Sequence, residues 1–214
     1  VRLDCSGELA LVHMADPGRL LELLVPGRRM RIRPAEGGNR RTRWSAVLVE
    51  SPTGRDWVSL DTTLPNRLVR AALEGRTMEE FQNWDLKRAE AAVGRSRLDF
   101  ILARKDGSRL ALEVKSVTLV REGIAFFPDA VTSRGARHVR ELTELAGRPD
   151  WEAAVLFVLQ RSEAREIRAA QDLDPTFART LEEARKAGVR ILGRRCRVGL
   201  DSIRLGPPVP VGVG

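Results

Sequence analysis

Over the first sixty positions the apolar residues come in short alternating runs broken by Gly, Pro and Asp, a period-two pattern that predicts strands. Strands are expected at Glu8–His13, Arg28–Arg33, Ser45–Glu50 and Trp57–Leu60. Asp16-Pro17-Gly18, Pro26-Gly27, Gly37-Gly38 and Ser51-Pro52-Thr53-Gly54 supply the turns. Residues 18–24 read as a short helical insert. Strands of this length with such turns predict a small antiparallel β-barrel.

Near residue 61 the period lengthens. Thr63 is placed to cap a helix entered through Pro65, running to about Leu73 and ending at Gly75. Thr77-Met78-Glu79-Glu80 has the form of a capping box at the head of another short helix. Three strands follow, Leu86–Val93, Arg97–Arg104 and Arg109–Val120. In Ser133–Leu145, Val139, Leu142 and Leu145 share one helical face, and Gly147 is the stop. Ala153–Leu159 is apolar throughout, as a strand buried on both faces would be. Asp174-Pro175 opens a helix to Lys186, and Val189–Cys196 and Ser202–Leu205 are late strands. The prolines of residues 206–210 cannot donate to a ladder. This order predicts a mixed sheet flanked by helices. The chain therefore divides into a β-barrel at 1–62 and an α/β domain at 63–214.

Composition changes the picture through placement more than through totals. Of 214 residues, 43% are hydrophobic and 31% charged, ordinary values for a protein with a packed core. No apolar run approaches the roughly 18 residues of a membrane helix, and no signal peptide is visible. A cytoplasmic location is expected, and because the chain opens on Val1-Arg2 its start is expected to be trimmed or incompletely observed. Cys5 and Cys196 are able to pair but form no disulfide framework or zinc spacing. Net charge is +8, and only four of the 37 basic residues are Lys. Arg suits bidentate phosphate pairing, although codon bias would produce the same skew. Arg28, Arg29, Arg31, Arg33, Arg40, Arg41 and Arg43 crowd into residues 28–43 against one acid, Glu36. This reads as a nucleic-acid footprint, or as a solvated loop on a basic protein.

Chemistry concentrates in the α/β part. Asp99 and the triplet Glu113-Val114-Lys115 lie within predicted apolar strands, where unpaired charges are costly. Two carboxylates with one amine can hold a hard divalent cation, Mg²⁺ or Mn²⁺, and orient a water towards phosphate. Glu113 and Lys115 share a strand face. Asp99 joins them only if the turn at Lys105–Ser108 is an odd loop centred on Asp106, or carries a bulge. The same residues would also fit a cross-strand ion cluster at a sheet edge. Arg134, Arg137 and His138 fall early on a predicted helix, where amides and basic side chains can hold phosphate.

Several blocks of this chain resemble the sugar fermentation stimulation protein A family. They are Asp16-Pro17-Gly18-Arg19-Leu20, Leu64-Pro65-Asn66-Arg67-Leu68, Ser96-Arg97-Leu98-Asp99-Phe100, Glu113 to Leu119, and Phe127 to His138 followed by Glu141-Leu142. The resemblance implies an OB-fold-like domain joined to a restriction-endonuclease-like domain of the PD-(D/E)-x-K superfamily. It implies Asp99 and Glu113 as metal ligands, Lys115 beside the attacking water, and Glu90 as a further ligand on the preceding strand. It also raises His138 as a substrate contact. The family normally carries a further N-terminal segment, so the barrel is expected to be incomplete at its start.

Together these features predict a Mg²⁺- or Mn²⁺-dependent nuclease acting on DNA or RNA, with a homodimer compatible with the sequence. The rival is a non-catalytic, sequence-independent DNA-binding protein with a regulatory role in the expression of sugar-utilisation genes. A sugar-metabolising enzyme finds no support, because no Gly-rich nucleotide loop or sugar-site motif is present.

Overall fold

In the computed structural model the described residues are 1–5, 7–16, 18, 20–35, 41–93 and 96–213. The expected Gly37-Gly38 turn, Pro17, Arg19 and Arg40 lie outside them. The first sheet contains β1 (Arg2–Cys5), β2 (Glu8–His13), β3 (Met30–Pro34), β4 (Trp44–Glu50) and β5 (Trp57–Ser59). One edge of β4 pairs with β3, while β2 and β5 share the other. The pattern located four of these strands. The predicted antiparallel pairing has one exception: β2 and β4 run parallel through Val12↔Trp44 and His13↔Ser45. The expected helical insert is also corrected: residues 20–24 form a single turn in which Leu23 and Leu24 N–H donate to the Leu20 carbonyl. Leu20 has a φ of 45°, a left-handed conformation that cannot propagate a right-handed helix. Val12, Leu20, Leu23, Ala46, Val49, Val58 and Leu60 make the core of this part.

The second part is built on six strands: β6 (Asp85–Val93), β7 (Ser96–Ala103), β8 (Arg109–Val117), β11 (Trp151–Leu159), β13 (Arg190–Val198) and β14 (Ile203–Pro208). Their order is β14-β13-β11-β8-β7-β6, with β8, β11 and β13 mutually parallel. A smaller sheet joins β9 (Val120–Arg121), β10 (Ile124–Phe127), β12 (Glu166–Ala169) and β15 (Val211–Gly212). None of these four has an alternating pattern long enough to read in sequence. Two prolines lie in β14, at the sheet edge, where a missing donor costs no ladder bond.

Helices cover both faces. β11 turns Ala153, Val155, Phe157 and Leu159 towards α2 (Ser133–Ala146) and α3 (Pro175–Lys186). It turns Ala154, Leu156 and Val158 towards α1 (Leu64–Glu74). Burial on both faces explains its uniform apolarity. The side-chain oxygens of Asp174 cap α3 through Phe177 N–H (2.9 Å) and hold Thr132 N–H (2.8 Å) at the head of α2. Thr63 sits at the N-terminus of α1 without capping it, because its hydroxyl donates to Asp61 at 2.7 Å. No capping box forms at Thr77, whose hydroxyl turns back to the Ala72 carbonyl; a single 3-10 turn, Glu79–Phe81, follows. Cys196 is a free, buried thiol pushed up to about 12 by desolvation. Among the described residues no helix is long and apolar enough to cross a membrane.

The two parts meet through polar contacts. Ser59 N–H donates to the Gln160 carbonyl (3.0 Å), and Gln160 Nε2 donates to the Asp61 carbonyl and Ser116 Oγ. Gly18 lies so close to Asp129 that a Cβ there would overlap the carboxylate, so no larger residue fits without displacing it.

Candidate metal and phosphodiester site

The turn between β7 and β8 meets the parity condition. The ladder runs from Ala103↔Arg109 to Phe100↔Leu112, leaving five loop residues centred on Asp106. Gly107, at a φ of 91°, takes the left-handed position, and its N–H donates to the Arg104 carbonyl. The ladder ends at Phe100↔Leu112, and the same register continued by one residue would set Asp99 opposite Glu113.

At that point the strand changes character. Leu98 packs with the α2 side of the sheet, yet Phe100, two residues on, packs with the α1 side. Regular alternation would have put both on one face. The break falls at Asp99, and its neighbour across β6, Glu90, has a φ of 52°. Here the Val114 N–H donates to Asp99 Oδ2 at 2.7 Å, so a carboxylate occupies the place of a strand acceptor. Asn66 Nδ2, from the first turn of α1, donates to Asp99 Oδ1 at 2.7 Å.

Glu113 lies on β8 and is only 4% exposed. Lys115 Nζ lies 2.7 Å from its Oε1, and His138 Nδ1 of α2 lies 2.6 Å from the same oxygen. Oε2 is buried with no hydrogen-bond partner among the described residues. Burial pushes the Asp99 carboxyl up, reinforced by the nearby Glu113, against the opposing pull of its hydrogen bonds and Lys115. Burial also raises Glu113, but His138 and Lys115 together outweigh it and hold that carboxyl below its ordinary value. Two adjacent acids are thus pushed apart in acidity by different surroundings.

The structure brings together Asp99, Glu113, Lys115 and His138. His138, expected among the nucleic-acid contacts, is instead 6% exposed and bonded to Glu113. Glu90, expected as a ligand, is corrected: its carboxylate is exposed and pairs with Arg97. Its backbone neighbours Asp99, but the side chain points to solvent. Gln160 Nε2 is taken up by Asp61 and Ser116, while its Oε1 is buried with no hydrogen-bond partner among the described residues. Asn66 was not singled out by sequence reasoning. It stands 33 residues from Asp99, so no local spacing links the two, and only its place in a family-like block carried a signal.

A cleft of about 410 Å³ beside this cluster is lined by Lys115, Ser116, Thr118, Arg134, Asp16 and Asp129, among others. Arg134 and Arg137 are exposed on the early turns of α2. The basic run of the first part is divided. Arg28 is half-buried and donates to the Ser51 carbonyl at 2.7 Å, and Arg29 pairs with Glu50. Arg31 and Arg33 project from β3 into solvent, Arg31 lying 5.4 Å from the Trp57 ring centre. Arg41 and Arg43 are exposed.

Two family models match this chain. Residues 1–60 match the model described as the SfsA N-terminal OB domain, and residues 63–202 match the sugar fermentation stimulation protein RE domain. A sugar fermentation stimulation protein homolog of Shouchella clausii is 48% identical, covering 95% of this chain and 87% of its own. A homolog from Moorella thermoacetica is 43% identical over 96% and 88%. The solved structure of Pyrococcus furiosus SfsA in complex with Ca²⁺ superposes with a TM-score of 0.88 at 27% identity, covering 99% of this chain and 89% of that one. With both parts matched and relatives near half identity along almost the whole length, this chain belongs to the sugar fermentation stimulation protein family.

Proposed function

We propose that this protein is a divalent-metal-dependent nuclease whose site is formed by Asp99, Glu113 and Lys115. The observation that carries the reading is Glu113 Oε2, a buried carboxylate oxygen without a partner among the described residues, beside a second, half-buried acid. Such an atom is costly unless something positive meets it. Among the described residues no three His, Cys, Asp or Glu side chains are grouped so as to hold a metal ion by themselves. A two-carboxylate site suits Mg²⁺ or Mn²⁺, because Mg²⁺ keeps several waters and completes its shell with substrate phosphate. The Ca²⁺ complex of the Pyrococcus furiosus relative supports the same class of ligand.

Asp99 and Glu113 would hold the cation, which supplies a Lewis acid that acidifies a bound water and offsets charge on phosphorus. Lys115 gives one of its three N–H groups to Glu113 and has others for a phosphate oxygen or the attacking water. Arg134, lining the same cleft, can pair with a neighbouring phosphate. A purely binding protein has no use for a buried and a half-buried acid side by side at this position, which favours the enzyme over its non-catalytic rival. The test is incubation with single- and double-stranded DNA and RNA in Mg²⁺ or Mn²⁺, beside Glu113→Ala and Lys115→Ala. Wild type should cut at least one substrate and both variants should fail. A wild type that cuts nothing, or variants that cut as well as it does, would end the nuclease reading.

Arg31 and Arg33 would guide the nucleic acid, since Arg28 and Arg29 are held by the protein itself. Replacing both by Ala should weaken binding uniformly across sequences. It should flatten the dependence of log affinity on log salt by about 1 per residue removed. An unchanged salt slope would put the contact surface elsewhere.

A further inference from the structure

We infer that His138 is a positioning residue that turns Glu113 so that Oε2, not Oε1, faces the cation; this rests on the metal-site reading above. Arg134, one turn earlier on α2, donates through Nε towards His138 Nε2 at 3.5 Å. A guanidinium offers no acceptor, so Nε2 carries the lone pair and Nδ1 the proton. His138 therefore donates to Glu113 Oε1. Lys115 Nζ donates to the same oxygen. The terminal torsion of a Glu side chain is soft and roughly two-fold, so a lone carboxylate would present either oxygen. Two donors on one oxygen remove that freedom and leave Oε2, buried and without a partner among the described residues, for the cation. With Nδ1 protonated and Nε2 turned to Arg134, His138 is not itself a ligand. Its placement is secured far from the site: Asp174 of the α3 cap holds the first residue of the α2 cap, and the ring is buried beneath the helix.

Outer partners of this kind typically govern metal affinity by about 10–100-fold. The test is calorimetric titration of the purified protein with Ca²⁺ and with Mn²⁺, without nucleic acid, accompanied by thermal melting. His138→Asn keeps an amide donor close to the Nδ1 position and should bind within about threefold of wild type. His138→Leu keeps bulk without a donor and should bind about tenfold more weakly or worse. In cleavage assays His138→Asn should remain active, as a variant of a general acid or base would not. The inference is overturned if His138→Leu binds like wild type, or if a folded His138→Asn is as weak as His138→Leu. Should His138→Leu fail to fold, His138→Gln, whose amide reaches towards the Nε2 position, takes its place and must bind more weakly than His138→Asn. Equal affinities of those two would overturn the inference. If folded wild type binds neither cation, the metal-site reading itself fails, an outcome distinct from the others.

Discussion

Asp99→Asn should abolish cleavage and, in the absence of metal, raise the melting temperature. Under the proposed metal-site reading Asp99 is a ligand, and its loss should remove several kcal/mol of transition-state stabilisation; about 4 kcal/mol corresponds to roughly a thousandfold in rate. The gain in stability has a separate origin. Burial and the neighbouring Glu113 raise the pKa of Asp99 in the folded chain, so its ionised form is destabilised there relative to the unfolded chain. A folded-state value above the unfolded one means stability is fullest at low pH and is lost as pH rises through the raised value. A neutral isostere avoids that loss. The Asn66 amide, by turning over, can accept from the new amide while Val114 keeps its acceptor. The gain at neutral pH should be about 1 kcal/mol, or about 2–4 °C for a chain of this size. It should fade in acid and reverse when a divalent cation is added, because only wild type then gains a bound ion. Melting curves in chelator and in Mg²⁺ would test both signs; a variant less stable than wild type in chelator would contradict the account.

Glu80→Gln should be among the most destabilising single changes away from the site. Glu80 grips Arg194 with both oxygens, at 3.0 Å to Nε and 2.7 Å to NH2. Its backbone carbonyl takes Arg190 NH2 at 2.9 Å, so the 3-10 turn is fastened to β13. The Gln amide keeps one acceptor oxygen but removes the negative charge, so the largely buried Arg194 cation is left, among the described residues, with neutral acceptors: that oxygen and the Gly206 carbonyl (2.9 Å). The cost of breaking such a pair is about 3 kcal/mol, the low end for buried bridges because Glu80 is partly exposed. Burial raises the Glu80 carboxyl, but Arg194 more than offsets it, and the net shift is downward. A lowered folded-state value contributes stability above the unfolded pKa and loses it as pH falls through the folded one. The gap between wild type and variant should therefore be widest near neutrality and close in acid. Denaturant melts at two pH values measure it, and a gap that widens in acid would refute the assignment.

How much of this was readable beforehand depended on the range of the interaction. β2 and α3 were legible to within a residue, because a two- or 3.6-residue period and a local cap set them. β9, β10, β12 and β15 were not, since each is only two to four residues long and exists through partners far along the chain. The helical insert at 18–24 failed because composition favoured a helix while the backbone at Leu20 turned left-handed.

The site divides in the same way. Residue types, the two-residue spacing of Glu113 and Lys115, and the family-like blocks identified its acids and its amine from the sequence alone. They also reduced the position of Asp99 to a question of loop parity. Only the tertiary structure answered that question and added the partners: Asn66 from α1, His138 from α2, and the exposed turn of Glu90 away from the cluster. The physical reason is that strand periodicity is local, whereas a buried carboxylate takes its hydrogen bonds from whichever elements the fold packs around it.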